Sequence, residues 1–204
     1  MSLTDIQLKL LAKAMDFPLA GVYFKDELPS KLEFNKAYIV NIEDAEDENG
    51  NDNGGTHWTC FQINKYPNGK EEGIYFCSFG AGMPQDVEKA VFKAIKKKIP
   101  NTTKDIQSLL NNACGYFCCA FLHFINSSQY RSKDLYTDVS IFLDMFDDLN
   151  KSIDFKKNEY ILKHFFRNKN VDERTPVNID AIVEADSGNG IDLMKIPVNV
   201  AMMK

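Results

Sequence analysis

Residues 57–79 read HWTCFQINKYPNGKEEGIYFCSF. Two apolar-rich runs, His57–Ile63 and Gly73–Phe79, flank the polar stretch Tyr66–Lys70. An Asn-Gly pair between such runs signals a β-hairpin. With the turn centred near Asn68, the residue opposite His57 falls near position 79, give or take two. Cys77, Ser78 and Phe79 are therefore the candidates to meet His57 across the ladder.

On the N-terminal side, residues 43–55 (EDAEDENGNDNGG) form a solvated acidic loop. The loop lacks the ligand spacing of an EF-hand, with no Glu at its twelfth position. Gly21–Phe24 and Ala37–Ile42 read as short strands around a polar turn at Pro29. Leu3–Met15 reads as a helix ended by Pro18, with Leu3, Ile6, Leu10, Leu11 and Ala14 near one face. On the C-terminal side, Pro84–Lys98 is an amphipathic helix with Pro at its start. Lys93, Lys96, Lys97 and Lys98 sit toward its end, where cations suit the helix dipole, and they read as a solvated face. Lys104–Leu109 is a short strand or extended segment. Helices are expected over Ala113–Phe124, Asp138–Leu149 and Asn158–Phe166. Beyond Asn168 the pattern weakens, which divides the chain into a domain over 1–167 and a C-terminal tail or extension over 168–204. Strands interspersed with helices, one hairpin among them, give an α+β domain rather than a βαβ repeat.

The chain has 204 residues, of which 44% are hydrophobic and 12% aromatic, enough for a substantial core. Its net charge of −5 gives no support to sequence-independent nucleic-acid binding. No run reaches the roughly 18 apolar residues of a membrane span. The start, MSLTDIQLKLLAKAMD, has no apolar core and does not read as a secretory signal. Five Cys in such a chain read as reduced thiols in a cytosolic compartment.

Residues 107–123, QSLLNNACGYFCCAFLH, concentrate the chemistry. Asn111 and Asn112 are good N-cap residues, and Cys114 follows them at the start of an apolar helix. A thiolate at a helix N-terminus is stabilised by the dipole and the free N–H groups. Cys118 and Cys119 lie inside the apolar run and read as core thiols. Cys114, Cys118, Cys119 and His123 cannot close a tetrahedral metal site from a single helix, because the pairs 114/118 and 119/123 project in different directions, with even their nearest members roughly 100° apart. No metal is expected. A nucleophilic Cys needs a base, and the base usually needs an orienting partner. His57 supplies the base, and 77–79 is where the partner should lie.

In order, this chain carries GTHW at 55–58, YFCSFG at 75–80, Gln107, and CGYFC at 114–118, with seven residues from Gln107 to Cys114. The set resembles the adenovirus-type (adenain-like) maturation cysteine proteases, above all the forms of virophages and polinton/Maverick-type transposons. Those proteins typically show G-T-H-W, then Y-F-D/E-x-F-G, then a Gln about seven residues before C-G-x-F-C. The runs LAGVYFKDELP and EYILKHFFR also look like the virophage and transposon forms, so the likeness spans roughly residues 5–166.

The resemblance implies a cysteine-protease fold: a mixed, largely antiparallel sheet flanked by helices, with the nucleophile at a helix N-terminus. Cys114 would be the nucleophile and His57 the general base. Gln107 would donate into the oxyanion hole beside the backbone N–H of Cys114. The chain departs from the pattern at Cys77, where relatives carry Asp or Glu. A thiol cannot charge-stabilise His57 as a carboxylate would. The third member is therefore open between Cys77, a backbone carbonyl and an acid from the 43–52 loop. Ser78 is a further candidate, although it should face the opposite side of the strand.

The implied function is processing of viral capsid and structural precursors during virion maturation, with Gly near the scissile bond. A monomer without cofactor is expected, in the host-cell cytoplasm (the viral factory) and in the virion. The DNA and peptide stimulation of adenoviral relatives is not carried over. A ubiquitin-like-modifier isopeptidase shares the same residue order. An inactive homologue with a structural role in the particle is the third reading, resting on Cys77. In the tail, DSGNG at 186–190 partly matches a Gly-containing cleavage site at Asn189–Gly190, although a plain turn is the expected reading.

Overall fold

A computed structural model of the protein describes residues 3–109, 111–127, 134–149 and 155–167. The expected extension over 168–204, DSGNG included, lies outside them. In chain order the elements are α1 (Asp5–Ala14), β1 (Leu19–Phe24), β2 (Lys36–Asn41), β3 (Trp58–Lys65), β4 (Glu71–Phe76), α2 (Gln85–Ile95), α3 (Cys114–Asn126), α4 (Leu135–Asp144) and α5 (Phe155–Arg167). The domain is α+β. No helix among the described residues is long and apolar enough to cross a membrane.

The four strands lie in the order β1-β2-β3-β4. β1 and β2 run parallel, while β2–β3 and β3–β4 are antiparallel. In β3–β4, Cys60 pairs with Phe76 and Lys65 with Glu71. Tyr66 N–H donates to Lys70 O and Gly69 N–H to Tyr66 O, closing the turn at Asn68-Gly69. The ladder ends at Cys60–Phe76, three residues short of His57 and Phe79.

Both faces of the sheet are covered, which is why its strands read as near-continuous apolar runs. One face, with Ile39, Cys60, Ile74 and Phe76, packs on α1, α3, α4 and α5. The other, with Tyr38, Val40, Phe61, Tyr75 and Cys77, packs on Val87, Val91 and Ile95 of α2. The larger core is strongly aromatic: Phe76 stacks on Phe121 at 4.3 Å, and Phe142 meets Phe121 edge-on at 5.3 Å.

Several helix details differ from the sequence expectation. α1 starts with a capping box between Thr4 and Gln7. It buries Gln7, Leu8, Leu11 and Ala12, whereas Ile6 is 65% exposed and Leu10 42%. The buried face is rotated because the Trp58 indole N–H donates to Leu3 O at 2.7 Å and pins the helix start against the sheet. α4 begins at Leu135, three residues before the expected start, because the Asp134 carboxylate accepts from Thr137 N–H and caps it there. α2 stops at Ile95, with Lys96 in the left-handed region at φ 56°. Residues 104–109, expected as a strand or extended segment, form no ladder and are irregular, with a bend at Gln107 and a turn at Leu109.

Candidate active site

The chain enters β3 through a loop pinned to the end of β2. The Asn41 carboxamide oxygen accepts from Glu43 N–H and Thr56 N–H, and Thr56 Oγ1 donates to Glu43 at 2.8 Å. Gly55 has φ +67°, and a Cβ there would run into the Asn41 amide. These contacts hold the backbone immediately before His57, whose carbonyl accepts from Ile42 N–H.

The His57 ring is 6% exposed and lies against Phe79, with centroids 4.5 Å apart. Its Nε2 is 3.3 Å from Cys77 Sγ. Its Nδ1 is buried with no hydrogen-bond partner among the described residues. Burial pushes the His57 pKa down from 6.5 to about 4. Three acids of the 43–52 loop are engaged elsewhere: Glu43 with Thr56, Asp44 with Lys25, and Asp47 with Asn49 and Asn51.

Cys77 sits at the end of β4. Its N–H donates to Thr102 Oγ1, and its carbonyl accepts from Gly80 N–H at 2.9 Å, closing a tight turn. Gly80 has φ +68°, and a Cβ would strike the Thr103 carbonyl, so position 80 requires glycine. The turn aims the backbone N–H groups of Phe79 and Ala81 at the Cys77 sulfur, although burial dominates and raises its pKa. The Cys114 sulfur is close enough to Cys77 to raise it further.

Cys114 is the first residue of α3 and is 2% exposed. The N-cap is Ala113, and no side chain caps the helix, contrary to the expectation for Asn111 and Asn112. Instead Asn111 reaches sideways: its Oδ1 accepts from Ala113 N–H and its Nδ2 donates to Glu159. Cys118 and Cys119 are fully buried, with Cys118 Sγ 3.4 Å from the Trp58 carbonyl. His123 Nδ1 faces Met15 O at 2.7 Å.

Gln107 is 2% exposed and held at both ends of its amide. Nε2 donates to Asn111 O at 3.0 Å, and Oε1 accepts from Ser78 Oγ at 2.7 Å. Ser78 thus faces away from His57, as alternation along a strand requires. Of the three residues expected near His57, Cys77 and Phe79 meet it and Ser78 meets Gln107 instead. The role of Thr102 and the sideways contacts of Asn111 carried no signal in the sequence, because they depend on side-chain contacts between separate segments. No protein-family model and no curated protein matches this chain.

The arrangement allows one tautomer to serve as a base. With the Nε2 proton shared toward the Cys77 sulfur, a weak acceptor, Nδ1 carries the lone pair. A neutral imidazole with a bare, buried nitrogen can take a proton from a thiol.

Proposed function

We propose that the protein is a cysteine endopeptidase that processes viral capsid and structural precursor proteins during virion maturation. The observation that carries this reading is the His57 ring, oriented by Cys77 through Nε2 and unpartnered at Nδ1. Cys114 at a helix start and a clamped Gln107 complete the set.

In this mechanism Nδ1 of His57 takes the Cys114 proton as the sulfur attacks the substrate carbonyl carbon. The oxyanion is met by the second Nε2 hydrogen of Gln107 and the backbone N–H of Cys114. Such donors contribute roughly 10²–10³ in rate. His57 then gives its proton to the departing amine, leaving a thioester on Cys114. Water, deprotonated by His57, hydrolyses the thioester and frees the acid. Because burial keeps His57 neutral, it acts as a general base and not as half of a preformed ion pair. Access to a sulfur on a residue only 2% exposed favours glycine-flanked bonds, whose backbone can approach closely. The enzyme acts as a monomer in the viral factory of the host cytoplasm and in the virion.

The test incubates the purified full chain with the structural proteins of its own virus and sequences the new N-termini. New termini beside glycine, absent with Cys114→Ala, are expected. Cleavage of a ubiquitin-like-modifier fusion but of no structural protein would point to an isopeptidase. No cleavage of either would leave the inactive homologue.

A further inference from the structure

We infer that Ser78 is a positioning residue for the oxyanion donor; this rests on the peptidase reading and extends it to a residue outside the Cys-His pair. Ser78 is fully buried, and its hydroxyl donates to Gln107 Oε1 at 2.7 Å. Its carbonyl also accepts from both Ile106 N–H and Gln107 N–H, at 2.8 and 3.1 Å. One residue therefore holds Gln107 by backbone and side chain together.

The far end of the amide is fixed by Asn111 O, which can only accept, so the nitrogen must face it. With Nε2 assigned, Oε1 is the atom that Ser78 meets, and the hydroxyl must donate. The two anchors fix the amide plane. One Nε2 hydrogen goes to Asn111, and the second has no acceptor among the described residues. A donor on the amide oxygen also draws electron density from the nitrogen and strengthens its remaining N–H. The same network reaches the start of α3, since Asn111 accepts from Ala113 N–H beside Cys114. A Ser78→Ala change removes the hydroxyl without adding bulk. It leaves Oε1 without its donor and the amide free to rock about its remaining anchor.

The experiment has two arms on the 204-residue chain. The first measures steady-state cleavage of an internally quenched peptide with Gly on both sides of the cut. Wild type, Ser78→Ala, Gln107→Ala and the double variant are compared. Ser78→Ala should lower kcat about tenfold with KM nearly unchanged, and should cost nothing further in the Gln107→Ala background. The second arm needs no activity. The Gln107 side-chain N–H₂ pair, assigned by its loss in Gln107→Ala, is followed in ¹H–¹⁵N spectra. Ser78→Ala should shift that pair and speed its exchange with solvent while the backbone amides of β3 and α3 stay in place. Unchanged Gln107 amide signals would overturn the inference, as would a Ser78 effect on kcat that persists in full without Gln107. If wild type cleaves nothing, the peptidase reading fails by itself, and the spectra still decide whether Ser78 orients Gln107.

Discussion

Cys77 is where the chemistry of this site differs most from a carboxylate-assisted Cys-His pair. Its sulfur lies 3.3 Å from His57 Nε2 and receives the Phe79 and Ala81 N–H groups. A carboxylate at this position could accept from all three donors, which a thiol does only weakly. Cys77→Asp should therefore raise the His57 pKa and preserve or increase kcat near neutral pH. In wild type, the acid limb of kcat/KM should lie below the ordinary histidine value of 6.5, since burial holds His57 near 4. In Cys77→Asp the limb should move upward. A wild-type limb at 6.5 or above, or a folded Cys77→Asp protein without activity, would mean that the site is built around another partner.

At the scale of elements, the hairpin was legible because two apolar-rich runs on either side of a short Asn-Gly turn leave little freedom of register. That reading made Cys77, Ser78 and Phe79 the candidates to meet His57, and Cys77 and Phe79 do so. The face of α1 was not legible. Ile6/Leu10 and Leu8/Leu11 offer two apolar stripes, and the choice between them is made by Trp58 and α3, far away in sequence. The parallel pairing of β1 and β2 was equally hidden, since the polar turn at Pro29 does not say in which direction the next strand runs. The Ser78–Gln107 contact spans 29 residues and leaves no periodic trace. Burial at this scale makes a direct prediction. Phe121 is fully buried between Phe76 and Phe142, so Phe121→Ala should cost about 3–5 kcal/mol. Ile6→Ser, on the exposed stripe, should stay within about 0.5 kcal/mol of wild type. Urea unfolding midpoints separate the two. Equal losses would mean that α1 packs by the other stripe.

For the whole molecule, the buried imidazole links the site to stability. The folded pKa of His57 is depressed, so between 6.5 and about 4 the unfolded chain takes up the proton more readily. Its contribution is complete above 6.5 and is lost as pH falls toward 4. That loss amounts to about 3 kcal/mol over the full window, since one pKa unit is worth about 1.4 kcal/mol. Urea midpoints at pH 7.5 and 4.5 should fall much further for wild type than for His57→Gln. The same fall in both proteins would show that His57 is not buried as a neutral ring. Stability and proposed catalysis thus draw on one feature: a site dry enough to keep a base uncharged.

The most direct test of the central claim is to catch the acyl group. The 204-residue protein is mixed with a peptide ester that ends in glycine at the cleaved bond, quenched in acid within one turnover, and digested for mass spectrometry. The account predicts a thioester on the peptide containing Cys114, absent from Cys114→Ala and strongly reduced in His57→Ala. An adduct on Cys77 or Cys118, or undiminished turnover by Cys114→Ala, would contradict it.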